Sequence, residues 1–141
     1  EDMEIITHNT IVRYGLVEEV KPVLTKEQVL EMHQLVRQIH ISDEIREYIL
    51  DIVRATRGEG NIDLVKRYVR YGGSPRACIF LGLGAQAMAL MAGRYYVIPH
   101  DVKRIAPEVL RHRVILNYEG KAEGISSDEI VNEILKTIEP P

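Results

Sequence analysis

The chain has 141 residues and a net charge of −3, and 45% of its residues are hydrophobic while 28% are charged. This composition fits one folded domain, and its acidic balance argues against a nucleic-acid partner, because dedicated nucleic-acid binders are usually basic. The single cysteine, Cys78, excludes an internal disulfide, and no apolar run is long enough for membrane insertion, so we expect a cytoplasmic protein.

The first part of the chain predicts two helices. Its start, EDMEIITHNT, has no initiator methionine, so we expect a domain cut from a longer protein; residues 1–10 could end an upstream helix, and residues 11–24 look irregular. Thr25 and Gln28 form a capping box, and Ser42 is a predicted N-cap. Both helices then carry apolar residues at helical spacing: Val29, Met32, Val36 and Ile39 in the first, and Ile45, Tyr48, Ile49, Ile52 and Val53 in the second.

The middle of the chain predicts a break, a short strand and a central helix. Residues 56–60 form the break, and residues 62–71 are predicted as a helical turn followed by a short strand. The segment from Pro75 to about Met91 is apolar nearly all round and rich in alanine and glycine, which predicts a buried central helix. Gly93 is expected to end it.

The last part of the chain predicts two further helices. Pro99 is expected to open a helix with Asp101 in its first turn, and Pro107 to kink or divide it. Residues 113–118 predict a strand, and residues 119–125 a turn or return strand. The final helix has two candidate N-caps, Ser126 and Ser127. The expected fold class is therefore mainly α, a helical bundle with at most a small β-hairpin.

Arg76 stands at an unfavourable place in the central helix. Ser74 is a suitable N-cap and Pro75 suits the first helical position, so Arg76 falls in the first turn, where a cation costs a few tenths to about 1 kcal/mol. A guanidinium beside the free N–H groups of a helix start is a plausible phosphate contact. The alternative is an exposed arginine that carries this small cost or pairs with a surface carboxylate. The residues alone leave both readings open.

Other chemistry is sparse. There is no GxxxxGK[ST] phosphate loop. The five histidines show no metal-ligand spacing, and a surface or core role is expected for His8, His33, His40, His100 and His112. Cys78 lies in an apolar helix without a histidine to activate it, so a small buried side chain is favoured over a nucleophile. The stretch VKRYVRYGGSPR mixes basic and aromatic residues, which can bind nucleic acid, but a solvated face is the favoured interpretation.

Several stretches of the chain carry motifs of one protein family. GGSPRA, AGRYYVIPHDV and APEVLRHR follow one another between residues 72 and 113. They resemble the patterns GaSPRA, GRxYVxPxDV and APxVLRHR of the C-terminal lid domain in the MoxR family of AAA+ ATPases. The earlier ISDEIREYILDIVRATR and the final GISSDEIVNEILKTIEPP also fit, so the resemblance covers almost the whole chain. Gly73 stands where alanine is common, and His100 where an acid is usual.

This resemblance implies a role for Arg76. In AAA+ proteins the arginine of the SPR motif is the sensor 2 residue, which reaches from the lid to the γ-phosphate of ATP held in the core domain. Arg76 is the matching residue, and Ser74 and Pro75 position it. The resemblance also implies that residues 1–24 connect to a missing ATPase core, which holds Mg²⁺, and that residues 25–141 form the lid. The fragment alone is not expected to hydrolyse ATP, whereas its parent is.

The resemblance extends to partners and process. It implies contacts with the chain's own AAA+ core and with neighbouring subunits of a hexameric ring, and a von Willebrand A-domain partner. The implied function is to couple ATP hydrolysis to chaperone-like assembly or metal-cofactor maturation of protein complexes. Whether Arg76 acts on its own subunit's nucleotide or on a neighbour's is open. The alternative is a helical protein-interaction module that does not read nucleotide.

Overall fold

The computed structural model describes residues 21–141 and is mainly helical, as predicted. The described part contains seven helices and one two-stranded sheet, in the order α1 (Lys26–Gln38), α2 (Asp43–Ala55), α3 (Asp63–Tyr68), β1 (Val69–Tyr71), α4 (Pro75–Met91), α5 (Pro99–Leu110), β2 (Ile115–Leu116), α6 (Tyr118–Ala122) and α7 (Ser127–Thr137). Met32–Pro141 form one compact unit. The predictions for residues 1–10 and for most of 11–24, and the one for His8, lie outside the described residues.

The predicted helix starts are confirmed by their hydrogen bonds. Thr25 and Gln28 exchange side-chain to backbone bonds of 2.8 and 3.2 Å, which is the predicted capping box at the start of α1. Ser42 accepts from the backbone N–H of Ile45 at 3.4 Å and caps α2. Of the two serines proposed for the last helix, Ser126 is the cap of α7, because it forms a reciprocal capping box with Glu129.

The core is built mainly from the inner faces of α2, α4, α5 and α7. The apolar stripe predicted for α2 is buried along its whole length: Ile45, Tyr48, Ile49, Ile52 and Val53. Helix α7 buries Ile130, Val131, Ile134 and Leu135 in the same way. Helix α1 differs, because none of its residues is buried, and Ile39 after its end is its only predicted stripe residue in the core.

The expectation that the central helix is buried on every side is wrong. Helix α4 buries one narrow face of small residues and leucine, which packs chiefly against α5: Ala77, Leu81, Ala85 and Ala89. Ile79 and Phe80, on another face, are exposed. An apolar composition therefore did not predict burial here. The small residues of α4 allow α5 to approach closely. A Cβ on Gly84, for example, would lie only 2.7 Å from Cγ1 of Ile105 in α5.

We expect Gly84→Leu and Ala87→Leu to differ in their effect on stability. At Gly84 the new side chain meets Ile105, and overpacking costs about 1–3 kcal/mol or more of unfolding free energy. Ala87 lies instead in an open apolar cleft of about 350 Å³ beside Leu83 and α1 residues, so leucine is accommodated there. Urea unfolding of both variants measures the difference. If Gly84→Leu and the unchanged protein had equal unfolding free energies, α4 and α5 would be able to move apart at little cost.

The β-structure is small, as expected, and its two strands are distant in the chain. β1 pairs antiparallel with β2, with Val69 opposite Leu116 and Tyr71 opposite Ile115. Residues 119–125 were expected to form a turn or a return strand, and no strand forms there. The side chain of Asn117 accepts from the N–H of Gly120 at 2.9 Å and starts α6, which a turn at residues 123–124 follows.

A kink or a division of α5 was expected at Pro107. The division does not occur. The helix runs without interruption from Pro99 to Leu110. Fully buried Val102, Ala106 and Leu110 hold it against the core on both sides of the proline. Tertiary packing therefore outweighs the loss of one backbone hydrogen bond.

Candidate functional site

The turn before α4 is fixed by one buried threonine at the end of α2. The hydroxyl of Thr56 donates to the carbonyl of Val53 at 2.6 Å and accepts from the N–H of Gly73 at 2.8 Å. A Cβ on Gly72 would lie 2.3 Å from the carbonyl oxygen of Thr56, so only glycine fits there. The ATR motif that ends α2 and the glycines that begin GGSPRA are therefore parts of one site.

Helix α4 starts where the sequence predicts, but the side chain of its N-cap residue does not form the usual capping hydrogen bond. Ser74 occupies the N-cap position with an extended backbone, and Pro75 is the first helical residue. The side chain of Ser74 makes no capping hydrogen bond, although its carbonyl accepts from the N–H of Ala77 at 2.8 Å. The hydroxyl of Ser74 is exposed. It is therefore available to a ligand or to a second domain.

Arg76 has no polar partner among the residues that the structure describes. Its side chain is exposed, and within residues 21–141 it forms no hydrogen bond and no ion pair. Other arginines behave differently: Arg67 binds Glu119 and Glu123, and Arg111 binds Asp128. The possibility that Arg76 pairs with a surface carboxylate of the described residues is thus wrong. The exposed guanidinium is compatible with a phosphate contact.

A basic groove lies beside this turn. It has a volume of about 610 Å³, and three cations line it, Arg57, Lys66 and Arg70, together with backbone of Gly72 and Gly73. No aspartate or glutamate is among the lining residues. Nη1 of Arg57 lies 3.5 Å from the carbonyl of Gly73, and its Nε lies 3.3 Å from Glu59. Glu59 offsets the charge of Arg57, so the positive charge of the groove comes mainly from Lys66 and Arg70.

The GRxYVxPxDV motif has a structural explanation that the sequence did not reveal. Asp101 is buried, and its carboxylate accepts from both terminal nitrogens of Arg94, at 2.6 and 2.9 Å, and from the N–H of Ile98 at 2.9 Å. Burial acts to raise the pKa of Asp101, but the bonds from Arg94 and Ile98 outweigh it and lower that pKa. The pair closes the loop between α4 and α5 and leaves no charge for a ligand.

The described residues hold no cluster that fits a metal ion. No group of three His, Cys, Asp or Glu side chains converges within residues 21–141. The four histidines of this range are exposed, and Cys78 is half-buried against the core. No helix in the described part is long and apolar enough to cross a membrane.

Known proteins match this chain over the same elements. Residues 62–134, from α3 to α7, match the family model described as the AAA lid domain. The chain is 34% identical over 125 residues to the chaperone MoxR1 of Mycobacterium tuberculosis, which covers 87% of this chain and 33% of that protein. This chain belongs to the AAA lid domains of MoxR-type AAA+ ATPases.

Further relatives agree with this assignment. The lid domain is 39% identical over 125 residues to YeaC of Bacillus subtilis, covering 89% of this chain and 37% of YeaC. It superposes with a TM-score of 0.82 and 34% identity on the crystal structure of a Cytophaga hutchinsonii protein described as an ATPase, covering 100% of this chain and 43% of that one. This chain spans about a third of the length of MoxR1 and YeaC.

Proposed function

We propose that this lid domain senses ATP through Arg76 and couples its hydrolysis to chaperone-like assembly or metal-cofactor maturation of protein complexes. The observation that carries the proposal is the exposed guanidinium of Arg76, which has no partner among the described residues. It lies in the first turn of a helix whose start is held by Thr56. A cation at this position costs free energy unless an anion compensates it.

The residues around Arg76 fit phosphate oxygens. Arginine is permanently charged and offers five N–H donors in a rigid fork, so it binds phosphate with defined geometry. Ser74 and Pro75 set the first turn of α4 and leave the serine hydroxyl free. Bound ATP, with Mg²⁺ on the core domain, supplies the phosphate and the bond that is hydrolysed. Loss of the γ-phosphate removes the partner of Arg76, which frees the lid to change its position.

The proposal divides the chain and names its partners. Residues 25–141 form the lid, and residues 1–24 connect it to an ATPase core. The partners are this core, neighbouring subunits of a hexameric ring and a von Willebrand A-domain protein. Cys78, the only cysteine of the chain, fits the reducing cytoplasm in which we propose that the parent ATPase works.

Arg76→Ala tests the proposal in the full-length ATPase. We expect ATP turnover to fall about tenfold or more, because one preorganised donor to the reacting phosphate is lost. Folding stability should stay unchanged or rise slightly, since the charge opposes the dipole of α4. Arg104→Ala is the matched control, because Arg104 is another exposed arginine with no partner within residues 21–141. Unchanged turnover in Arg76→Ala would remove Arg76 from the mechanism.

The exposed apolar residues of α4 favour a second candidate, a protein-interaction module that does not read nucleotide. In that case binding of a partner protein survives Arg76→Ala and does not respond to ATP. Pull-down of the partner by the full-length protein, with and without ATP, separates the two functions. Binding that depends on ATP and on Arg76 supports the nucleotide sensor.

A further inference from the structure

A cleft between α1 and α4 lies well away from Arg76. It has a volume of about 350 Å³ and is lined by two cationic and three apolar side chains: His33, Val36, Arg37, Leu83 and Ala87. Ala87 is three turns of helix beyond Arg76, which is roughly 16 Å along the helix axis. The cleft therefore belongs to a different part of α4 from the proposed nucleotide sensor.

The apolar surface continues beyond this cleft on both helices. Met91 lies one turn after Ala87 and is 82% exposed, and Met32 lies one turn before Val36 and is 44% exposed. Helix α1 buries none of its residues, although a helix of its length is marginal in water unless a partner packs against its apolar face. We call the cleft together with Met32 and Met91 the α1–α4 groove.

The charge of the α1–α4 groove is one-sided. His33 and Arg37 lie one turn apart on α1, and both are exposed. No aspartate or glutamate of the described residues lines the cleft, and α4 carries no charged side chain between Arg76 and Arg94. The ion pairs formed among residues 21–141 do not include Arg37. A partner with carboxylates beside an apolar stripe therefore complements the groove in both charge and polarity.

We propose that the α1–α4 groove binds an amphipathic helix of another protein, with apolar side chains in the cleft and carboxylates facing His33 and Arg37. A helix suits the groove better than an extended strand, because α1 and α4 satisfy their backbone groups internally and offer no edge for main-chain pairing. The side chains of the groove follow one another at i, i+4 spacing, as do the apolar side chains of an amphipathic helix. The inference goes beyond ATP sensing and does not depend on Arg76.

Binding of two matched peptides to the full-length ATPase tests the proposal. Both fluorescent peptides are amphipathic helices of about 14 residues, roughly 20 Å long, with leucines on one face. One peptide carries glutamates on its other face, and the second carries lysines there. We expect the glutamate peptide to bind about tenfold more tightly than the lysine peptide, because only its charge complements the groove. Equal affinities, or no binding of the glutamate peptide, overturn the proposal.

Variants of the groove locate the binding on this surface. Ala87→Leu should fill the cleft and weaken binding of the glutamate peptide about tenfold or more, while its unfolding free energy stays unchanged. Arg37→Glu should reverse the preference, so that the lysine peptide binds better. Lys136→Glu is the control, because Lys136 lies exposed on α7, outside the groove, and should leave both affinities within about twofold. An Ala87→Leu protein that binds the glutamate peptide as before contradicts the assigned surface.

Thiol labelling shows whether the groove is free for a partner. In full-length ATPase with Cys78→Ala, the thiol of the Ala87→Cys variant should react readily with a maleimide. The glutamate peptide, at about ten times its Kd, should slow that reaction about tenfold. A thiol that is unreactive without peptide would mean that the ATPase itself covers the groove, which overturns the proposal. A smaller assembly of Arg37→Glu in size-exclusion chromatography would identify a second copy as the occupant and overturn it equally.

Discussion

Replacing Gly72 by alanine is expected to destabilise the lid domain by about 3 kcal/mol or more, at the upper end of overpacking effects. The added Cβ would lie 2.3 Å from the carbonyl oxygen of Thr56 and 2.7 Å from its Oγ1. The first of these atoms is backbone, so the end of α2 must move to relieve the contact. That movement breaks the bonds of the Thr56 hydroxyl to Val53 and Gly73. Chemical denaturation of the variant measures the loss.

Gly73→Ala is the matched control for this prediction. Its Cβ would meet Cβ of Ala77 at 3.2 Å and Oγ1 of Thr56 at 3.4 Å, which are tight contacts with side-chain atoms only. We expect a change within about 1 kcal/mol, because the entropy lost by the unfolded chain offsets part of the crowding. Equal effects of Gly72→Ala and Gly73→Ala would contradict the role of the Thr56 contact.

Asp101→Ala is expected to cost about 3 kcal/mol, at the lower end for a broken buried pair, because Arg94 is partly exposed and keeps its bond to the carbonyl of Tyr96. The carboxylate is 3% exposed and accepts two bonds from Arg94 and one from the N–H of Ile98. Asp51→Asn is the control, since its ion pair with Arg54 is long and exposed and should contribute less than about 1 kcal/mol. A loss below 1 kcal/mol in Asp101→Ala would mean that the pair does not hold the loop.

The same carboxylate makes stability depend on pH in a defined direction. The pKa of Asp101 is lowered in the folded state, where bonds from Arg94 and Ile98 outweigh the effect of burial. Its contribution is therefore complete above the unfolded value of about 3.9 and is lost as the pH falls through the folded value. Asp101→Asn should remove this part of the acid dependence, which denaturation midpoints between pH 7 and pH 3 measure.

Local capping chemistry could be predicted from the sequence. Ser42, Thr25 with Gln28, and Ser126 with Glu129 each satisfy backbone N–H groups within three residues, so their partners are visible in the sequence. The apolar stripes of α2 and α7 were equally predictable, because the polar residues on the opposite face of each helix identify the side that faces solvent.

The remaining differences come from long-range packing. Helix α4 has no polar face, so its composition could not show that Ile79 and Phe80 lie outside the core. The strand at residues 115–116 pairs with residues 69–71 rather than with its own neighbours, and nothing local specifies that choice.

The candidate site was predictable in part. Ser74, Pro75 and Arg76 lie where the motif placed them, at the start of a helix. The buried contact of Thr56 with Gly73 joins residues 17 positions apart, and only the folded chain brings them together. The role of Arg76 remains a prediction until turnover is measured.

The hydroxyl of Thr56 makes α2 part of the support of the Arg76 turn. It joins the last turn of α2 to the turn that precedes Arg76. Helix α2 has 13 residues and is therefore roughly 20 Å long. The stripe of α2 is buried along this whole length, so the turn that carries Arg76 is anchored to the packed core and not only to its neighbouring residues.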